Sequence, residues 1–332
     1  MVLERDKDLT VAQELCETLQ ALKKEIGKRI VGQQEVIDDL LACFLAGGHC
    51  LLTGVPGLAK TMLVQSLARC LDLDFNRVQF TPDLMPSDIT GSEILTEEKG
   101  SGRREFRFLK GPIFSNIVLA DEINRTPPKT QSALLQAMQE QEVTSSGVTY
   151  SLPRPFWVLA TQNPIEQEGT YPLPEAQQDR FMFSIQIGYP DAHSELTIAR
   201  NANDFQNVEL KPVVNQERIA SFRELVKQVP IADSVVQSAV NLVRSSRPDC
   251  DECPQGIRKY LTWGAGPRAS QFLVLAAKAY ALIDGRSSPD VKDVGRAAFP
   301  VLRHRLVLSF HGDVEGVSGN QIIRKMLDHC KF

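Results

Sequence analysis

The segment that decides the fold is Gly54-Val55-Pro56-Gly57-Leu58-Ala59-Lys60-Thr61. It follows a short apolar run, 50–52, and precedes an apolar-periodic segment, 62–71. This order predicts a strand, a glycine-rich turn and a helix, which is the context of a phosphate-binding loop. In such a loop the backbone N–H groups and the positive end of the helix converge on phosphate oxygens. We therefore expect Lys60 to reach the β- and γ-phosphates of a nucleotide and the Thr61 hydroxyl to bind Mg²⁺.

One position departs from the usual loop, because Ala59 stands where a glycine normally precedes the lysine. Alanine carries a Cβ, so we expect the loop to keep a backbone conformation that is allowed to L-residues at this position. Considered alone, the segment is also compatible with an ordinary strand-to-helix turn that contains glycine and lysine.

The composition is that of a soluble globular protein, with 42% apolar and 23% charged residues among 332. That length is sufficient for two domains of ordinary size. The net charge of −4 provides no overall attraction to nucleic acid or to a membrane surface. The sequence contains no apolar run of membrane-spanning length, and its charged N-terminal residues lack an apolar signal core. We therefore expect a cytoplasmic protein.

Two of the seven cysteines, Cys250 and Cys253, have the spacing of a metal or redox motif. The sequence has no second cysteine pair or histidine pair at zinc-finger spacing. A loop with two incidental thiols is therefore the favoured interpretation.

Acidic and amide side chains follow two apolar runs that are typical of buried strands. Asp121 and Glu122 end the run 117–120, and Asn163 follows the run 156–160. Ligands bind at the carboxyl ends of the strands in open parallel sheets. We expect Asp121 to hold Mg²⁺, and Glu122 to orient and deprotonate the attacking water. Asn163 is expected to donate a hydrogen bond to the γ-phosphate or to that water.

Strand-like and helical patterns alternate as far as residue 190, and helical periodicities predominate after it. We therefore predict an α/β domain over 1–190, with a central parallel sheet, followed by an all-helical domain over 191–332. In two places a pair of short β-prone segments flanks a polar turn, which predicts hairpins near 84–108 and 142–155. The first hairpin carries Arg103, Arg104 and Arg107, which are also compatible with contact to a polymer.

Several motifs occur in a fixed order along nearly the whole chain, and together they resemble the MoxR family of AAA+ ATPases. Besides the phosphate loop with its alanine, they are Val31-Gly32-Gln33, Asp121-Glu122-Ile123-Asn124-Arg125, Thr161-Gln162-Asn163-Pro164, Glu175-Ala176-Gln177-Gln178-Asp179-Arg180-Phe181, Gly264-Ala265-Gly266-Pro267-Arg268-Ala269 and Val301-Leu302-Arg303-His304-Arg305. The fold implied is a P-loop NTPase αβα domain with a helical lid, and the hairpins match the family's helix-2 insert and pre-sensor-1 hairpin.

The resemblance also implies roles for single residues. The segment Val31-Gly32-Gln33 is expected beside adenine, and the phosphate loop through Met62 around the phosphates of ATP. Asn163 is similar to the first sensor, and Arg180 is similar to an arginine finger that enters a neighbouring subunit's site. Arg268 is similar to the second sensor, acting either on its own ATP or on a neighbour's. Arg125 is expected either to contact a neighbour or to be an ordinary surface residue.

At the level of the whole protein, the resemblance implies a ring, expected to be a hexamer, because a site completed by a neighbour requires a head-to-tail interface. It implies chaperone-like maturation of a client, in some cases with a metal cofactor, and a partner with a von Willebrand factor A (VWA) domain. The alternatives are an ATPase subunit of a metal chelatase, a nucleic-acid motor and a non-catalytic nucleotide-dependent scaffold.

Overall fold

A parallel sheet of five strands lies at the centre of the computed structural model, which describes residues 5–97, 104–164, 169–201 and 208–332. The sheet strands are, in spatial order, Phe75–Gln79 (β2), Ile117–Asp121 (β5), Trp157–Gln162 (β8), Cys50–Thr53 (β1) and Phe183–Gln186 (β9). Each adjacent pair is parallel, so the carboxyl ends of all five meet at one edge. This confirms the central parallel sheet expected from the sequence.

Successive side chains of a strand point to opposite faces of the sheet, and here both faces are buried. On one face, Cys50, Leu52 and Phe183 belong to a large core that continues into the C-terminal helices. On the other face, Leu51, Val118 and Val158 belong to a second, smaller core. Burial on both sides explains why these strands are continuous apolar runs in the sequence rather than alternating patterns.

Helices in the first part of the chain cover these faces. Their bounds are Arg5–Ile26 (α1), Gln34–Leu45 (α2), Lys60–Cys70 (α3), Pro86–Thr90 (α4), Pro128–Glu140 (α5) and Glu175–Gln178 (α6), and a 3₁₀ turn covers Ile123–Arg125. The long helix α1 packs against α3 and also against two helices of the C-terminal part, 216–228 and 267–283.

Two antiparallel hairpins occupy the positions expected for them. The first pairs Gly91–Glu97 (β3) with Arg104–Lys110 (β4), and the second pairs Glu142–Ser145 (β6) with Val148–Ser151 (β7). The rings of Phe108 and Tyr150 stack at 4.3 Å between centroids and join the two hairpins. Arg103 and the rest of the predicted turn at 98–103 lie outside the described residues.

The C-terminal part is helical, as expected, apart from a short two-stranded ribbon. Its helices are Ala192–Arg200 (α7), Gln216–Gln228 (α8), Asp233–Arg244 (α9), Gln255–Arg258 (α10), Pro267–Ile283 (α11), Val291–Leu302 (α12), Phe310–Val314 (α13) and Gly319–Cys330 (α14). The ribbon pairs Leu261–Trp263 (β10) with Val307–Leu308 (β11). Strands of three and two residues are too short for their side-chain period to stand out in a sequence.

Polar contacts also join the helical part to helix α2 and to strand β9. The Tyr280 hydroxyl donates to Asp39 Oδ1 at 2.6 Å, and Arg303 Nη1 donates to the Ser184 carbonyl at 3.0 Å. The large core also contains buried residues from both sides of the predicted boundary at residue 190, and the division into two domains stays a prediction. In the part of the chain that the structure describes, no helix is both long and apolar enough to cross a membrane.

Candidate active site

The phosphate loop leaves β1 through a tight approach to β9. A Cβ at Gly54 would lie 2.7 Å from the Ile187 carbonyl oxygen, so only glycine fits there. Ala59, at φ 56° and ψ 24°, lies in the left-handed region. That region is open to L-residues but costs them roughly 1–2 kcal/mol. The sequence predicts a backbone conformation at Ala59 that L-residues can adopt. The one observed is the rarely used left-handed conformation, at the turn where the chain enters α3.

The first turn of α3 is available to an anion. Its N-cap residue, Ala59, has only a methyl group, which cannot accept a hydrogen bond from the free N–H groups of the helix. Lys60 Nζ donates to the Gly54 carbonyl at 2.5 Å and thus lies across the loop. Burial lowers the pKa of Lys60, while the nearby Asp121 and Glu122 carboxylates act in the opposite direction. The amine therefore lies within electrostatic reach of both carboxylates.

Asp121 ends β5 as a buried carboxylate, 8% exposed, and both of its oxygens have partners. Oδ1 accepts from the Thr161 hydroxyl at 2.6 Å. Oδ2 accepts from Arg77 Nε at 2.9 Å and from Arg77 Nη2 at 2.6 Å. The sequence reasoning missed Arg77, which lies on β2, 44 positions away in the chain.

Glu122 is also held by its neighbours. Its backbone is left-handed, at φ 57°, and its N–H donates to Thr161 Oγ1 at 2.8 Å. Its Oε2 accepts from Gln79 Nε2 at 2.8 Å and from Arg125 Nη1 at 2.9 Å. Arg125 therefore lies beside the candidate base, where it orients the carboxylate within its own chain.

Strand order brings these groups together. Strand β8 lies between β5 and β1, with Ala160 beside Ala120 and Gln162 beside Thr53. Asn163 comes directly after β8 and is 5% exposed. It therefore lies between the phosphate loop on one side and Asp121 and Glu122 on the other. These predicted residues share one edge of the sheet.

The segment Val31-Gly32-Gln33 lies against α7. Gly32 and Gln33 both have positive φ, 71° and 57°, and a Cβ at Gly32 would lie 3.0 Å from Ser194 Oγ. Since Gly54 abuts Ile187, the stretch 187–194 borders both the phosphate loop and this segment. A nucleotide held on the loop would therefore have this segment along the same wall.

Arg180 and Arg268 lie at the opposite edge of the sheet. Arg180 precedes β9, and its Nη1 donates to the Leu135 carbonyl at 2.9 Å. Arg268 begins α11 and forms an ion pair with Asp179 at 2.8 Å. Both line a cavity of about 110 Å³ together with His49, Met138 and Gln139. A strand of four residues spans about 10 Å or more, so neither guanidinium is brought to the phosphate loop of its own chain.

Arg305 fixes the backbone around Arg180. Its side chain is only 2% exposed, and its Nε donates to Asp179 Oδ1 at 2.7 Å. Nη2 donates to the carbonyls of Asp179 and Phe181 at 2.9 and 2.7 Å, and Nη1 to that of Met182 at 3.3 Å. Burial lowers the pKa of Arg305 to about 10, so it stays charged at neutral pH. Arg305 ends the motif 301–305, whose sequence alone does not indicate this role.

The donor set fits a magnesium-bound nucleotide. Free helix N–H groups and Lys60 suit phosphate oxygens, and the Thr61 hydroxyl and the Asp121 carboxylate are oxygen ligands of the kind Mg²⁺ takes. In contrast, Cys250 and Cys253 are free thiols in a turn. Among the described residues, no group of three or more His, Cys, Asp or Glu side chains is placed to hold a metal ion.

Comparisons with known proteins agree with this geometry. Residues 49–183 match the ATPase family associated with various cellular activities (AAA), and residues 256–326 match the AAA lid domain. The chain is 42% identical to the uncharacterized protein YeaC of Bacillus subtilis, covering 93% of this chain and 92% of YeaC. It is 40% identical to chaperone MoxR1 of Mycobacterium tuberculosis, over 93% and 81% of the two chains. It is 32% identical to protein MoxR of Methylorubrum extorquens, over 86% of each.

Among solved structures, a Cytophaga hutchinsonii protein assigned as an ATPase superimposes with a TM-score of 0.90 at 41% identity. The match covers 99% of this chain and 98% of that one. The lid and the nucleotide-binding part are therefore both shared with it.

Proposed function

Because the chain belongs to the MoxR family of AAA+ ATPases, we propose that it binds ATP with Mg²⁺ at the carboxyl edge of its sheet and hydrolyses it to ADP and phosphate. The observation that carries this proposal is the convergence of Lys60, Asn163 and the Asp121-Glu122 pair at that edge. Thr61 and Asp121 would hold the metal ion. When bound, Mg²⁺ supplies positive charge that stabilises the phosphate oxygens.

The side chains of this chain then have distinct tasks. Lys60 leaves the Gly54 carbonyl to bind the terminal phosphates. Glu122 accepts the proton of the attacking water, with its carboxylate oriented by Gln79 and Arg125. Asn163, anchored at the end of a central strand, orients that water or the phosphate. The free N–H groups of α3 stabilise the charge that develops on the phosphate oxygens.

Arg180 and Arg268 act on the nucleotide of a neighbouring subunit. Support comes from their shared position at the edge of the sheet away from their own phosphate loop, beside Asp179. For Arg268 this proposal favours action in trans over action on its own ATP, and it requires a head-to-tail interface of the kind that closes into a ring. An arginine finger is worth about 10³- to 10⁵-fold in rate. We propose a hexamer that acts in the cytoplasm.

The work done by hydrolysis is remodelling of a client protein. Support comes from the relative named chaperone MoxR1, which is similar over most of its length. We propose that the client is matured with the help of a VWA-domain partner, in some cases by insertion of a metal cofactor. The switch would be a change in the lid, which contacts α2 through Tyr280 and strand β9 through Arg303.

Glu122→Gln tests the catalytic assignment. Nucleotide binding and ATP turnover would be measured for this variant, with Glu140→Gln on the exposed end of α5 as the matched control. We expect unchanged ATP affinity and a turnover lower by about 10²- to 10⁴-fold, because only the general base is lost. Turnover near that of the wild type would show that Glu122 is not the base.

A further inference from the structure

Asp121, the carboxylate proposed to hold Mg²⁺, already has a cation of this chain beside it. The Arg77 guanidinium donates twice to Oδ2, through Nε at 2.9 Å and Nη2 at 2.6 Å. The pair joins adjacent strands, since Arg77 lies on β2 and Asp121 ends β5. The Asp121 side chain is 11% exposed and that of Arg77 is 46% exposed. The guanidinium therefore covers a nearly buried carboxylate from the solvent side.

The other oxygen of Asp121 is occupied as well. Thr161 donates its hydroxyl to Oδ1 at 2.6 Å and receives the Glu122 N–H on the same atom. A carboxylate has about four acceptor positions, and three are filled by groups of this chain. A magnesium ion that bound the remaining acceptor position of Asp121 would share this carboxylate with the Arg77 guanidinium. The two cations would lie a few ångströms apart and repel each other.

The structure also offers Arg77 a second partner. Its Nη2 donates to Gln79 Oε1 at 2.7 Å, on the same face of β2, and its side chain is half exposed. It can therefore swing away from Asp121 without losing every contact. Since Gln79 also donates to Glu122, movement of Arg77 alters the same polar group that holds the candidate base.

We propose that Arg77 is the resident counter-ion of Asp121 and competes with Mg²⁺ for this carboxylate. Arg77 thereby sets the Mg²⁺ concentration at which the site binds nucleotide tightly. It acts through Asp121 and is a positioning residue, not a catalytic one. The inference rests on the proposed function, in which Asp121 is a Mg²⁺ ligand.

The test is equilibrium binding of a fluorescent ATP analogue during a Mg²⁺ titration, with no turnover involved. Arg77→Gln removes the guanidinium and keeps a polar side chain. Arg69→Gln is the matched control, because it removes one exposed arginine from the adjacent helix α3. Arg77→Lys keeps the charge but not the two-fold contact.

We expect Arg77→Gln to lower the half-saturating Mg²⁺ concentration by about threefold or more, because the competing charge is gone. Arg77→Lys should fall between this variant and the wild type, and Arg69→Gln should match the wild type. In an Asp121→Asn background, Arg77→Gln should have no effect on the Mg²⁺ dependence. Melting curves of each variant verify that it is folded.

Two different failures are distinguishable. If wild-type binding does not depend on Mg²⁺, the proposed metal role of Asp121 is wrong. If wild-type binding depends on Mg²⁺ and Arg77→Gln leaves the half-saturating concentration unchanged or raises it, Arg77 does not compete with the ion and the inference is overturned.

Discussion

Replacing Arg305 tests whether this buried guanidinium holds the loop that presents Arg180. Arg305→Met keeps most of the volume and removes the donors to Asp179, Phe181 and Met182. Leaving a buried carbonyl without its donor costs about 1–3 kcal/mol, and Arg305→Met does this to the Phe181 and Met182 carbonyls. Arg305 is 2% exposed, and its guanidinium donates to three backbone carbonyls within residues 179–182. We therefore expect a loss of about 4 kcal/mol.

The assay is thermal unfolding followed by circular dichroism, together with ATP turnover at a temperature where both proteins are folded. For a chain of 332 residues, about 4 kcal/mol corresponds to a midpoint lower by roughly 6 °C. Arg305→Lys keeps the charge without the planar fork, so we expect it to lose about half as much.

Arg268→Gln is the matched control for this experiment, because it removes the other partner of Asp179. Its side chain is 42% exposed, and exposed ion pairs contribute about 0.2–1 kcal/mol. We expect Arg268→Gln to melt close to the wild type and yet to lose turnover. If Arg305→Met melted within about 2 °C of the wild type, the buried contacts would not stabilise this loop and the reasoning would be wrong.

The remaining predictions concern Asp39 and Ala59. Burial raises the pKa of Asp39 from its ordinary 3.8 to about 6, with Tyr280 and Arg296 opposing the shift. Stability from this group is fully present below pH 3.8 and is lost as the pH rises through about 6. Asp39→Asn, which stays neutral, should therefore be more stable than the wild type at about pH 8 by up to about 3 kcal/mol, with the difference vanishing toward about pH 4. Denaturant unfolding across this range measures it, and Glu35→Gln on the exposed side of α2 should show no such trend; a constant difference would contradict the pKa assignment. Ala59→Gly relieves a left-handed alanine and should leave stability unchanged or raise it by about 1 kcal/mol. Ala68→Gly, at a buried position in the last turn of α3, should lower stability by about 1 kcal/mol, and equal losses at the two sites would refute the strain at Ala59.

The local part of the site could be predicted from the sequence because each of its signals is short and contiguous. Two segments each combine a strand signal with functional side chains within about ten residues. They are the apolar run 117–120 with Asp121-Glu122, and the run 50–52 with the loop Gly54 to Thr61. Parallel strands place their carboxyl ends at one edge, so the convergence with Asn163 follows from the strand assignment.

The contacts that tune the site could not be predicted, because they join distant parts of the chain. Arg77 meets Asp121 only after β2 pairs with β5, and Arg305 meets Asp179 across 126 positions. Arg77 belongs to none of the motifs, and the motif that contains Arg305 does not indicate that its side chain is buried against Asp179. The left-handed backbone of Ala59 belongs to the turn that enters α3, and an alanine in a sequence does not by itself indicate it.

The most direct measurement of the central claim is ATP turnover in an equal mixture of Lys60→Ala and Arg180→Ala, each inactive alone. If Arg180 completes a neighbour's site, random mixing pairs an intact loop with an intact arginine at about one interface in four. We predict that turnover recovers to about one quarter of the wild-type value, provided that sizing in the presence of ATP shows mixed assemblies. A mixture that assembles but stays as inactive as its components would contradict a site completed in trans.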